Sequence, residues 1–201
     1  MAATESNKKI ARTAASAFGG KARVITYHDN DNKSHIGILD CVDRPEQSMT
    51  AFSTVGCSDF SLYRNGEVFL DDEKKKPVGV ELVGACASKF DYFANALATA
   101  AFCIGNSRWF CAPGIVFPDV FAMHAKGAHQ LKHMLFVPPF FWDDTLPTLK
   151  LADKTVEWLL AVPISDAEMR FAEERRTSSD LEDIFEKKDV DIFDLNRKSV
   201  V

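Results

Sequence analysis

Imidazole and thiolate are the side chains a zinc ion takes from a protein, and His124, His129 and His133 follow Cys111 closely enough to raise that chemistry. On a helix, His129 and His133 would share one face. Gly127 interrupts such a helix, Leu131 to Val137 reads as a strand, and no carboxylate stands at a motif spacing, so no metal is expected. Cys57 is a second candidate. It sits in the turn-like run Val55-Gly56-Cys57-Ser58-Asp59, where a nucleophile could be presented at a strand end to one of the five histidines as base. No local nucleophile signature surrounds it, and a tight turn closing a strand accounts for the same residues. The adjacent acids Asp71-Asp72 and Asp143-Asp144 fall in polar loops, where neighbours in sequence rarely converge on one substrate. No glycine-rich loop follows a strand, so nucleotide binding has no support. No catalytic residue, cofactor or metal is therefore expected, and the alternative of a hydrolase using Cys57 and a histidine rests on that thiol alone.

Two features suggest recognition instead. Pro138-Pro139-Phe140-Phe141-Trp142 gathers three large aromatics just beyond a strand that proline cannot extend. They could anchor an interface or close one end of a core. From Asp166 to Asp194 the chain holds eleven acids against five bases, a net of −6 in a protein whose total is −5. The remainder is close to neutral, so the acidity belongs to this segment, either as a solvated face or as a field that steers a basic partner. The expected partner-binding residues are Phe140, Phe141, Trp142, Asp143, Glu173, Glu174, Asp180 and Asp183.

The elements that must position these residues can be read from spacing. Ser6 to Phe18 has helical periodicity ending at Gly19-Gly20, and Ala22–Tyr27, Ile36–Val42 and Thr50–Val55 are β-prone runs. Asn65-Gly66 predicts a hairpin turn between Phe60 and Leu70. Val78 to Cys86 alternates as a strand, and Ser88 could cap a helix running to about Ile104. Trp109 to Phe121 reads as loop with a short strand at Ile115–Phe117. Leu131–Val137 and Thr155–Val162 read as strands of the main sheet. Ser165 with Glu168, and Ser179 with Glu182, form capping-box patterns that predict two short helices. The pattern predicts an α+β chain with a mixed, mainly antiparallel sheet flanked by a few helices. Residues 1–34 lead with a helix and first strand into a domain over 35–199, the two forming one globular unit of a size that supports a single core.

At 46% apolar and 26% charged residues the composition is that of a globular protein, and the negative total charge argues against nucleic acid. No apolar run reaches membrane-spanning length and Met1 to Lys9 is polar, so a cytoplasmic chain with no membrane partner is expected. Five cysteines without Cys-x-x-Cys spacing read as buried free thiols, and sixteen Phe against three Tyr call for a large aromatic core, or a core plus an apolar docking surface.

Several segments in order resemble the suppressor-of-fused-like domain family: Ser53-Thr54-Val55-Gly56-Cys57-Ser58, Val80-Glu81-Leu82-Val83, Leu135-Phe136-Val137-Pro138-Pro139, Val162-Pro163-Ile164-Ser165 with Glu168, Met169 and Phe171, and Asp194 to Ser199 with Arg197. The resemblance covers roughly residues 35 to 199. Cys57 stands where the family pattern Thr-x-Gly-Met-Ser has methionine, and the chain is too short for the second domain of animal members. The resemblance implies a mixed α/β domain that works by binding proteins. Animal members hold zinc-finger transcription factors of the Hedgehog pathway inactive, partly through a peptide added as a strand, whereas single-domain bacterial members are thought to act as immunity proteins against polymorphic toxins. A one-domain cytosolic chain fits the bacterial case, with another protein, such as a basic toxin domain, as partner. A regulator that binds a transcription factor at an exposed sheet edge is the alternative within the family. The resemblance carries over no catalytic residue.

Overall fold

The structure, a computed structural model, describes residues 4–125, 129–175 and 179–201. Gly127, counted above against a helical histidine face, lies outside the described residues. Helix α1 (Glu5–Phe18) begins where the Thr4 hydroxyl accepts the Asn7 amide proton, 3.1 Å, and presents Ile10, Ala14 and Phe18 to the interior. Strands β1 (Ala22–His28), β2 (His35–Val42) and β3 (Met49–Val55) then form an antiparallel meander. The small hairpin of β4 (Tyr63–Arg64) and β5 (Glu67–Val68) turns at Asn65 and Gly66, whose φ values of 55° and 85° are those the Asn-Gly pair supplies at low cost.

Strand β6 (Val78–Ala87) is buried on both faces and joins the two halves of the sheet. It pairs antiparallel with β3 and parallel with β10 (Thr155–Ser165). Beyond β10 lie β8 (Leu131–Val137) and the two-residue β7 (Val116–Phe117), while β9 (Leu149–Lys150) pairs with the start of β10. The order β1-β2-β3-β6-β10-β8-β7, with one parallel contact among antiparallel ones, is the mixed α+β sheet that the pattern of strands predicted.

The two faces of the sheet are covered separately. Helix α2 (Phe93–Ser107) packs Phe93, Leu97, Ala101 and Ile104 over Phe52, Val80 and Leu82, and Phe93 lies 5.4 Å from both Phe52 and Phe121 by ring centroid. On the other face α1 and the C-terminal helices α3 (Asp166–Arg175) and α4 (Ser179–Lys187) enclose Leu39, Cys41, Val83, Leu135 and Leu160. Alternate residues of β10 divide accordingly: Val156, Trp158, Leu160 and Val162 face α1 and α4, and Leu159 and Ala161 face α2.

Two elements depart from the expected limits. Ser88 is not a cap: its hydroxyl pairs with Thr50 Oγ1 at 2.7 Å and its amide donates to Ser48 O, so β6 runs into a turn and α2 starts only at Phe93. Strand β10 continues through Pro163 to Ser165. The parallel ladder with β6 ends at Leu160, which leaves one side of β10 unpaired at Pro163, where a missing N–H costs little. Helix α4 begins at Ser179, where the Ser179–Glu182 pattern places a helix start.

Candidate partner-binding site

The candidate site lies where β8 stops. Beyond Val137, Pro138 and Pro139 cannot continue the ladder, and the chain closes into a 3-10 turn over Phe140–Trp142, with the Trp142 amide donating to Pro139 O at 2.7 Å. The turn sorts the three aromatics. Trp142 is 6% exposed and packs 4.9 Å from Phe18 of α1, so it belongs to the core and is not available to a partner. Phe140 and Phe141 remain 56% and 47% exposed, and Phe141 meets the edge of Phe193 at 5.2 Å.

Helix α4 supplies the opposite wall. Leu181 and Phe185, four residues apart, point inward, which turns Glu182, Glu186 and, one turn on, Asp189 to the flank. The helix ends in a Schellman arrangement: Val190 N–H donates to Phe185 O at 2.9 Å and Asp189 N–H to Glu186 O at 3.0 Å, with Asp189 at φ 48° in the place glycine often takes. Between this wall and the 3-10 turn lies a groove of about 580 Å³. Val137, Val162, Phe185, Val190 and Ile192 form its floor, Phe140 stands at one side, and Glu182, Asp183, Glu186 and Asp189 form an acidic rim.

A buried ion pair braces that floor from behind. Glu168 opens α3 as a complete capping box, its carboxylate accepting Ser165 N–H at 2.8 Å while Ser165 Oγ accepts Glu168 N–H at 3.2 Å. The same carboxylate takes both terminal nitrogens of Arg197, at 2.6 and 3.1 Å, and the Val200 amide at 3.0 Å. Arg197 also donates to Pro163 O at 2.7 Å and lies 4.9 Å over the Phe185 ring. The C-terminal residues thus fix the ring that floors the groove.

Of the eight expected contact residues, Phe140 and Asp183 line the groove, whereas Phe141 packs on Phe193 outside it. Asp143 is exposed at the end of the 3-10 turn, and Glu173 and Glu174 are exposed on α3 away from the groove. Asp180 sits in the first turn of α4, where a negative charge suits the helix dipole. Glu182, Glu186, Asp189 and the apolar floor are not among the expected residues. The spacing of Leu181 and Phe185 was the signal that could have picked the flanking acids out of the acidic segment.

The residues first weighed for chemistry are engaged elsewhere. The Asp119 amide donates to His133 Nδ1 at 2.9 Å, so Nε2 carries the proton and meets Asp166 Oδ1 at 2.9 Å. His124 Nε2 lies 2.7 Å from Thr99 Oγ1, and His129 packs near Tyr92. Among the described residues no group of three or more His, Cys, Asp or Glu is gathered to hold a metal, and no helix is long and apolar enough to cross a membrane. Cys57 is wholly buried, and burial, followed by the charge of Glu81, pushes its thiol well above the ordinary 9.0. The run Thr54 to Ser58 has a different task. Glu81, buried in β6, accepts from the Thr54 and Ser58 hydroxyls and from the amides of Gly56, Cys57 and Ser58, at 2.5 to 3.3 Å. A Cβ on Gly79 would lie 2.6 Å from Ser58 O, so only glycine admits the turn to the strand.

A family model, described as Suppressor of fused protein (SUFU), matches residues 32–198. The chain is 44% identical over 201 residues to a Bacillus subtilis (strain 168) protein named Immunity protein YqcF, covering 100% of both. A SUFU homologue of Neisseria gonorrhoeae FA 1090 superposes with a TM-score of 0.70 at 14% identity, over 98% of this chain and 97% of that one. Drosophila Suppressor of Fused gives a TM-score of 0.62 at 14% identity, over 97% of this chain and 51% of that one. These two structures share the fold described above.

Proposed function

We propose that this chain, which belongs to the suppressor of fused family, is an immunity-type protein that neutralises a toxin domain by binding it, without catalysis, in the cytoplasm. The observation that carries this reading is the groove beside α4, with exposed Phe140 above an apolar floor and four carboxylates around it. An aliphatic or aromatic side chain of the partner would be desolvated on the floor, and flanking Lys or Arg would meet the rim. A toxin that acts on nucleic acid needs a cationic surface for phosphate, so the acidic rim suits the part of such a toxin that must be blocked. The rim would also speed encounter, an effect that salt screens. Full-length likeness to a protein named for immunity supports the role, and the buried Cys57 and the engaged His133 support a binding function over hydrolysis.

The test is co-expression with the toxin encoded beside its gene. Cells carrying the wild-type chain should grow, and cells carrying Phe140→Asp with Glu186→Lys should not, although both proteins accumulate to the same level. Equal killing with and without the wild-type chain would remove the reading.

A further inference from the structure

The sheet ends on one side in β7, two residues long, and on the other in β1, which is seven residues long and has no pairing partner beyond β2 among the described residues. Exposed edges of this kind are normally blunted by proline, by an inward-pointing lysine, by a bulge or by brevity. Strand β1, Ala22-Arg23-Val24-Ile25-Thr26-Tyr27-His28, has none of these, and its register with β2 is unbroken. Its one formal cation, Arg23, is anchored to β2, where Nε donates to both carboxylate oxygens of Asp40 at 2.8 Å, and its side chain stays 68% exposed. Val24 and Ile25 are left 50% and 43% exposed.

We propose that two copies of this chain pair through β1, antiparallel about Ile25, to form a symmetric dimer with one continuous sheet. The sequence of the strand is complementary to itself in that register. Ile25 faces Ile25, Val24 faces Thr26 as a β-branched pair, Arg23 faces the Tyr27 ring, and Ala22 faces His28. This is the one antiparallel register in which all seven residues find partners. It also places Lys21 of each copy opposite Asp29 of the other, which gives two attractive charge pairs and no like-charged one along the strand. The Asp29 carboxylate already accepts the amides of Lys33 and Ser34 and the side chain of Asn106 within its own chain, so the pairing with Lys21 acts on a fixed charge and adds no new orientation. A foreign strand would have no reason to match both the apolar centre and the two charged ends. The groove beside α4 lies on the far side of the sheet from β1, so a dimer leaves both grooves open.

The inference is independent of the immunity role and is tested on the purified full chain by light scattering on a sizing column. The expected mass is twice the chain's 22.4 kDa. Ile25→Lys places two ammonium groups at the twofold axis and should halve that mass while leaving the circular dichroism unchanged, because the side chain is exposed. Ile25→Cys should be joined to a covalent dimer by a short bis-maleimide, under conditions where the wild-type chain is not. A wild-type mass of one chain, a dimer indifferent to Ile25→Lys, or no cross-linking of Ile25→Cys would each overturn the proposal, the first leaving the edge to another partner.

Discussion

Glu81 shows how far a residue's meaning depends on what surrounds it. In the sequence it is one acid in an alternating strand, and Thr54 to Ser58 is a turn holding a candidate nucleophile. In the structure the carboxylate is the single acceptor for five donors of that turn, so the segment that carries much of the family resemblance serves to fasten β3 to β6. Glu81→Ala strands those donors in the interior and should cost on the order of 3 kcal/mol in denaturant unfolding. Cys57, in the same turn, should resist iodoacetamide at neutral pH in the folded protein and react once denaturant is added, because burial keeps it protonated and inaccessible. Rapid alkylation in the native state would favour the hydrolase reading. The identity of the donors around Glu81 was not legible in advance, since all of them come from a segment more than twenty residues away.

Elements were more legible than their meetings. Helix α1, the strands of the first meander, the Asn65-Gly66 turn and the capping box at Ser165 follow from local periodicity and local hydrogen bonding, and each appears where spacing places it. The start of α2 does not, because a serine whose hydroxyl is satisfied across the sheet by Thr50 looks the same in sequence as one that caps a helix. Trp142 looks in sequence like its exposed neighbours for a similar reason: the contact that buries it is made with Phe18, at the far end of α1. At the junction of β8 and α3, Asp166 accepts from Lys132 and His133, and these hydrogen bonds hold its carboxyl below the ordinary 3.8. A carboxyl with a depressed folded-state value adds stability that is present above its unfolded value and lost as pH falls through the folded one. Thermal melts taken through the acid range should therefore drop less steeply for Asp166→Asn than for the wild type below pH 3.8. Parallel curves would show that this junction does not contribute to acid unfolding.

At the scale of the whole molecule, the three layers place α1 and α2 on opposite faces of the sheet and gather the acidic C-terminal helices beside the end of β8. The excess of acids after Asp166 was visible as a count, but which acids share a wall depended on the inward set of Leu181 and Phe185. The C-terminal residues close the design by anchoring Arg197 under Phe185, so the groove is floored by a ring that is fixed before any partner arrives. A preformed apolar floor with a charged rim makes a specific demand on its ligand, and that demand can be measured. The direct test is calorimetric titration of the purified chain with the toxin domain encoded beside its gene, comparing the wild type with Asp183→Lys/Glu186→Lys in the groove and with Glu173→Lys/Glu174→Lys on α3. The account predicts a one-to-one complex per chain, weakened about thirtyfold or more by the groove pair, the scale of a 2 kcal/mol hot spot, and far less by the α3 pair. No complex, or equal weakening by the two pairs, would contradict it.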